Sequence, residues 1–598
     1  MKFCFKCGNQ LSGNEKFCPR CGQKLPVAAG SQPEQQPVMQ PSQPVAPARP
    51  APAPAPQQPE PQPAPQQPAV CAEKARKCSR HGIIFTDLDV LSAMVGSDRD
   101  TLYKLLDQYT DLMADADIDY RIVDVSDYKF VSKAAGRKGQ KASFDEDSPW
   151  WDYQHVLYDI MCYEKERSLP ESNYLFIIGG HEVIPVPAIN HYIKNHPRLK
   201  DVDIETDLLY SYPYGPHTQY ALETTEIYTQ EMYYFAGRLP VPKGADASFI
   251  VNYLQNAIDN RHGLMVKKMY AQSDPHWKNL TAWLMSPYNK AGMLADRSNI
   301  SGKFSHENVL LGPYITSEYI NAVMETDTDM VYLNLHGSRG PGDPHYSGEY
   351  PEHTSEYATI FPVEAMLIPE HCNVFVAEAC YGGRFVGYDI AHSMIQAGLS
   401  HKTIIGLASS RVAFGDFDPP GGNADKMCGM FTYYLLTGNY AGEALIRARS
   451  DFFAENGMVD PYDAATLAEF NLFGDPSLRA VAVVSEGAKM PKLSKAVAPK
   501  GFVCGYEEDN LKSADNKPQS LLEQVRGAVD ANIKAISQTI GQELYAKYGL
   551  SPREPETVRR IRFKNGKQRL IHTYANGEST WVVRSTPEGK IESVMTSK

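Results

Sequence analysis

No apolar run in the 598 residues approaches the ~18 that a membrane-spanning helix needs, so a helical membrane protein is excluded. The first ten residues, MKFCFKCGNQ, lack the apolar stretch of a secretory signal, and none is expected there. Positive charge is in deficit: the net charge is −12, which argues against nucleic-acid binding by bulk electrostatics. The eleven cysteines show no repeated spacing of the kind that builds a disulfide framework. Thiolate metal ligation in a reducing, cytoplasmic setting is the expectation instead. Aromatics are missing from residues 26–70, a tract of proline, glutamine and alanine. Such a segment buries too little surface to offset its ordering entropy and reads as a semi-extended tether over 26–72.

Four of the cysteines are clustered. FCFKCGNQLSGNEKFCPRCGQKL spaces Cys4, Cys7, Cys18 and Cys21 as C-x2-C-x10-C-x2-C. Each C-x-x-C-G forms a tight knuckle that aims two sulfurs at one point, and two knuckles make a closed tetrahedral Zn2+ site. Residues 1–25 are too few to fold on a core, so the metal supplies most of their stability. This stretch resembles the short zinc ribbons at the start of many bacterial proteins, which implies a module that docks a protein partner.

Elsewhere the chain has apolar material for large cores, 42% of all residues, and length for roughly three or four domains. From about 80 to 480, short apolar runs alternate with helical patterns, as in a parallel sheet covered by helices. YLFIIGG (174–180), MVYLNLHG (330–337), NVFVAEAC (373–380) and TIIGLASS (403–410) read as strands. YDIAHSMIQAGL (388–399) and AGEALIRARSDFFAENG (441–457) read as helices. Ligands of such sheets bind beyond the carboxyl ends of the strands.

Two of these strands end on reactive side chains. His336 follows VYLNL and precedes Gly337; Cys380 follows VFVAEA and precedes Tyr381-Gly382-Gly383. On neighbouring parallel strands, imidazole and thiol emerge at one edge, and the base activates the sulfur. The N–H groups of Gly337 and Cys380 are candidate oxyanion donors. The glycines behind Cys380 are expected to leave room for a substrate. The plain alternative is a buried cysteine acting as a small hydrophobe and a turn histidine. Cys372 reads as structural, and His345, His353 and His371 as weaker bases.

His336-Gly337 followed by Glu378-Ala379-Cys380-Tyr381-Gly382 resembles the His-Gly and Gln-Ala-Cys-x-Gly blocks of caspases. YLFIIGGHEVIPVP (174–187), TDLLYS (206–211), FAGRLPV (235–241) and NLFGDPSL (471–478) are similar to blocks of the gingipain-type cysteine peptidases. The resemblance implies a caspase-like α/β fold in two subdomains, over 80–250 and 251–484, and an endopeptidase, which the cysteine usage and N-terminus lead one to expect inside the cell. In it Cys380 forms a thioester and His336 protonates the leaving amine. The same resemblance offers Asp207 as the acid assisting His336, with a turn aspartate as the alternative. It leaves Glu226 and Glu231 near, but not aligned with, an acidic substrate pocket. A secreted context and a following immunoglobulin-like domain, both present in gingipains, have no counterpart here. Self-processing near Arg76, Lys77 or Arg80 is a further expectation. A catalytically silent scaffold, or an amidase or acyltransferase using the same dyad, is the alternative. The stretch 337–357 reads as a long active-site loop.

After a linker over 485–515, residues 516–598 read as a small separate α+β module. Ser520 and Glu523 form a capping box. Leu522, Val525, Val529, Ile533, Ile536, Ile540 and Leu544 recur at helical spacing. A β-meander follows, with turns at Asn565-Gly566 and Asn576-Gly577. Residues 558–598 carry nine Lys or Arg against three Glu, a solvated sheet surface or a face for an acidic partner.

Overall fold

The computed structural model describes residues 78–145, 147–189, 203–213, 232–294, 308–311, 327–337, 345–350, 353–362, 366, 372–388, 392–456, 460–484, 506–512, 522–548, 554–563, 565–576 and 579–597, together with 2–3 and 10–11. The chain divides into two compact units, Met1–Lys77 and Cys78–Lys598. In the first, strands Lys2–Phe3 and Gln10–Leu11 pair antiparallel. Cys4, Cys7, Cys18, Cys21 and the proline-rich tract lie outside the described residues, as do Glu226 and Glu231.

The second unit is built on ten strands: β1 (Arg80–Thr86), β2 (Ile118–Asp124), β3 (Tyr174–Ile178), β4 (Phe235–Leu239), β5 (Met269–Ser273), β6 (Leu310–Leu311), β7 (Met330–Asn334), β8 (Val374–Ala377), β9 (Ile405–Ser409) and β10 (Phe470–Gly474). They form one sheet in the order β6-β5-β7-β8-β9-β10-β4-β3-β1-β2. Strands β6, β5, β7, β8 and β9 are mutually parallel, as are β4, β3, β1 and β2. Between the blocks, β10 runs antiparallel to β9. Every residue of β3, β5, β7, β8, β9 and β10 is buried. That is why β3, β7, β8 and β9 read as apolar runs: helices cover both faces of such a sheet.

The sheet is continuous across the expected boundary at residue 250, which falls inside helix Ser248–Asp259; the strands before that helix form one block of the sheet and those after it the other. Helix Ala441–Asn456 agrees with its apolar spacing. The helix expected from 388 instead spans Met394–His401, because the Ser393 hydroxyl caps it by accepting from the Gln396 amide.

The quoted motif blocks are structural knots. Arg238 of FAGRLPV is fully buried. It donates through Nε and Nη2 to both carboxylate oxygens of Asp207, at 2.8 and 2.7 Å. Its Nη1 donates to the carbonyls of Gly179 and Ile184, in the chain after β3. Asp475 of NLFGDPSL accepts from the Tyr109 and Tyr120 hydroxyls at 2.6 and 2.5 Å. In both, a buried carboxyl group is tolerated because each oxygen has a hydrogen-bond partner.

The C-terminal residues do not form a separate module. Helix Leu522–Tyr548 and strands Thr557–Phe563, Gln568–Asn576, Ser579–Ser585 and Ile591–Ser597 appear where the pattern predicts them. Gly566 turns at φ +81°, as its hairpin requires. However, Phe414–Asp416, which follows β9, adds to this sheet as an edge strand beside Ile591–Ser597. At the opposite edge, Tyr506–Lys512 pairs with Thr557–Phe563, within what reads as linker. Three of the expected surface cations are turned inward. Arg559 and Arg584 are buried, and Arg569 pairs with Glu592 and Asp460. The cation excess is therefore neither a wholly solvated sheet face nor a wholly exposed polyanion site.

Candidate active site

Strands β7 and β8 pair parallel with Leu333 opposite Ala377. Continuing that register three residues beyond this pair places His336 level with Cys380. Their 44-residue separation is the pairing offset itself. The approach is tight: a Cβ on Gly337 would lie 2.7 Å from the Cys380 carbonyl carbon and 3.0 Å from its nitrogen. Only glycine lets the two backbones meet this closely.

Cys380 is 5% exposed, and its thiol donates to the Ala413 carbonyl at 3.6 Å. Tyr381 then adopts φ +57°, which turns the chain sharply at the strand tip. Its N–H donates to the Arg411 carbonyl at 2.8 Å. Arg411 in turn pairs with Glu205 at 2.8 Å. Burial raises the Glu205 carboxyl above its usual range, against the pull of Arg411 and Arg384. The turn carrying Cys380 is thus fastened from the β9 side.

The glycines behind Cys380 have a different purpose from the one expected. A Cβ on Gly382 would strike the Tyr346 hydroxyl, and one on Gly383 would lie 2.8 Å from the Ala408 carbonyl. They make room for protein neighbours rather than for a substrate. Tyr346 comes from a hairpin, His345–Tyr350 with His353–Pro362, paired antiparallel on His336–Gly337. Within 337–357, the described residues are therefore largely β-hairpin rather than loop. The side chains of His345 and His353, and all of His371, lie outside the described residues. Burial pushes the Cys372 thiol up to about 12, so it is a structural, unreactive group.

Asp207 is committed elsewhere, since both its oxygens bind Arg238. The acid beside the histidine is Asp274, at the carboxyl tip of β5, with Oδ2 4.0 Å from His336 Nε2. Asp274 is fully buried and also accepts from the His276 amide and contacts His276 Nδ1, at 2.8 and 3.0 Å. Trp277 lies against the imidazole with ring centroids 4.6 Å apart. Three adjacent strand tips, on β5, β7 and β8, therefore present Asp274, His336 and Cys380 in a row. Sequence reasoning missed Asp274 and Trp277. The available signal was DPHW (274–277) closing the strand segment MYAQS (269–273), the same strand-to-polar switch that marks His336 and Cys380.

A nucleophile and a base at one sheet edge suit acyl transfer through sulfur. Residues 115–481, more than half of the chain, match peptidase family C25. The chain belongs to this family. It is a cysteine peptidase, a hydrolase that acts on protein or peptide substrates. The C25 match includes β2 to β10 and all three strand tips. A comparison with curated proteins finds no match. Among solved structures, the complex of the Porphyromonas gingivalis RgpB pro- and mature domains is similar at 10% identity and TM-score 0.43. It covers 86% of this chain and 99% of that one. The Arg-specific cysteine proteinase gingipain R is similar at 12% identity and TM-score 0.42, covering 87% and 97%. No helix among the described residues is long and apolar enough to cross a membrane. No cluster of three or more metal-ligating side chains occurs among them.

Proposed function

We propose that this C25 peptidase is an endopeptidase that cleaves through a Cys380–His336 dyad. The observation that carries the reading is the register of β7 and β8, which brings the Gly337 and Cys380 backbones into contact. In the acylation step His336 takes the thiol proton and the sulfur attacks the scissile carbonyl carbon. The carbonyl π pair moves to oxygen, and the N–H groups of Gly337 and Cys380 are the proposed donors to it. As the tetrahedral adduct collapses, the C–N bond breaks and the imidazolium protonates the departing amine, leaving a thioester on Cys380. Water then attacks with His336 as base, and the acid product leaves as the thiol is restored. Asp274, buried and beside Nε2, favours the imidazolium form between these steps.

Substituting Cys380→Ala or His336→Ala tests this by hydrolysis of fluorescein-labelled casein. Each variant is expected to fold and to lose turnover; wild-type turnover in either purified protein refutes the dyad.

The N-terminal unit is proposed to hold a structural Zn2+ through Cys4, Cys7, Cys18 and Cys21, in a reducing, cytoplasmic setting, and to dock a protein partner. Four thiolates in two knuckles are a zinc donor set. The antiparallel pairing of Lys2–Phe3 with Gln10–Leu11 brackets the first knuckle, consistent with a ribbon hairpin. Metal analysis of protein purified without chelator should give one zinc per chain, lost in Cys4→Ser/Cys7→Ser. Self-processing near Arg76, Lys77 or Arg80 is tested by incubating wild type beside Cys380→Ala and comparing the fragments.

A further inference from the structure

We propose that Trp277 positions His336, and that the C-terminal helix and sheet hold Trp277 in place, making them an integral part of the peptidase site. This inference rests on the Cys380–His336 assignment. The argument begins with a second, smaller apolar core, distinct from the one around the ten-stranded sheet. It gathers Trp277, Phe417, Ile540, Leu544, Tyr574, Trp581, Val583 and Val594. Six of these come from the C-terminal helix and its strands, and one, Phe417, from the segment just beyond the Phe414–Asp416 edge strand. Trp277 is the eighth, and it comes from the tip of β5.

Trp277 is fully buried, which an indole at the rim of an active site achieves only if something covers it. One side of it meets the His336 imidazole, at 4.6 Å between centroids and 54° between planes. The rest of it belongs to the C-terminal core. The indole thus transmits the position of the terminal unit to the catalytic base. A flat aromatic neighbour also restricts imidazole rotation, and its electron-rich face favours the protonated ring. Of the titratable groups, Asp274 from β5 lies 4.0 Å from His336 Nε2, and His276 contacts the other oxygen of that carboxylate.

The same terminal unit reaches the nucleophile by a second route. The Cys380 thiol donates to Ala413, and the next three residues form the edge strand on Ile591–Ser597, Phe414 opposite Ser597 and Asp416 opposite Met595. Phe417 then stacks on Trp581 at 4.4 Å and packs beside Tyr548 at 5.0 Å. Arg584 clamps the sheet to the catalytic half by binding Asp460 at 2.6 and 2.7 Å and Asp463 at 2.8 Å. Both members of the dyad are therefore braced by chain that lies beyond residue 481, outside the family match.

The test uses full-length protein and two readouts, labelled-casein turnover and the rate of Cys380 alkylation by iodoacetamide at pH 6.5. Trp277→Ala is expected to lower turnover about 10- to 100-fold, the scale of a base displaced by a fraction of an ångström to an ångström. Its alkylation rate should fall toward that of His336→Ala, and Trp277→Phe should recover turnover to within about 3-fold of wild type. Leu544→Ala, which touches no catalytic group, should reduce both readouts about 5- to 10-fold while the protein stays folded by near-UV circular dichroism. Should Trp277→Ala not fold, Leu544→Ala decides alone. A folded Trp277→Ala or Leu544→Ala with both rates within about 2-fold of wild type overturns the inference. So does lost turnover with an unchanged alkylation rate and no rescue by phenylalanine. If His336→Ala itself hydrolyses casein normally, the dyad has failed first, a separate result.

Discussion

Replacing Gly337 by alanine probes the meeting of the two strand tips with one methyl group. The added carbon would lie 2.7 Å from the Cys380 carbonyl carbon, 3.0 Å from its nitrogen, and closer still to its oxygen. These are backbone atoms, so no flexible side chain can yield. Restoring ordinary contact requires the tips of β7 and β8 to part by roughly 1 Å, and a 1 Å misplacement of reacting groups costs on the order of 10²-fold. The strain of an overpacked site adds about 1–3 kcal/mol of destabilisation, which a unit of this size tolerates. Gly337→Ala should therefore fold, with a slightly lower urea midpoint, and should lose about 100-fold in casein turnover. Chemical denaturation followed by tryptophan fluorescence separates the two effects. A folded Gly337→Ala enzyme with more than a third of wild-type turnover would show that the closeness of Gly337 and Cys380 is irrelevant to catalysis.

Further expectations concern the neighbours of the dyad and the terminal unit. Asp274→Asn removes the charge beside His336 while keeping the shape, and should lower kcat about 10- to 100-fold with little change in KM; an unchanged kcat refutes the role. Arg584→Met leaves Asp460 and Asp463 buried with only Arg569 to compensate. Loss of one partner of a buried pair costs about 3–5 kcal/mol, so the urea midpoint should drop sharply. Burial alone would raise the Asp460 carboxyl, yet Arg584 and Arg569 hold it down at about 2, so the charge stays at neutral pH. His572 lies buried between the Ser537 and Ser585 hydroxyls, and burial lowers it to about 4. An unfolded histidine takes up its proton near 6.5, while folded His572 resists until about 4. Its contribution to stability is therefore complete above ~6.5 and is lost as pH falls toward 4, by about 3 kcal/mol. His572→Gln should flatten that acid loss in denaturation measured at pH 7 and 4.5; equal slopes for both proteins contradict it.

The alignment of the strand tips carrying His336 and Cys380 was legible in the sequence because each residue follows an apolar run and the register preserves their spacing. The same logic, applied to the run ending at Ser273, would have pointed to Asp274. What the sequence did not disclose is that β5 lies next to β7, since strand order depends on long-range pairing and leaves no local pattern. Asp207 illustrates the converse. Its motif was visible, but its role was set by Arg238, 31 residues away and brought near only by the sheet. The helix and meander of the C-terminal region followed from spacing and Asn-Gly turns. Their fusion to the catalytic half did not, because Phe414 and Ser597 pair across nearly two hundred residues. The inward Arg559, Arg569 and Arg584 likewise read as surface charge until their acidic partners, on other segments, are known. Gly382 and Gly383 read as room for a substrate, whereas the space beside them is filled by Tyr346 and the Ala408 carbonyl, neighbours that only the tertiary fold supplies.

The most direct test of the central claim is mass spectrometry of the intact enzyme after treatment with a peptidyl acyloxymethyl ketone, with residual casein turnover measured alongside. The account predicts a single adduct on Cys380 that rises in step with lost turnover, and slow labelling of His336→Ala. Turnover abolished while Cys380 remains unmodified would contradict it.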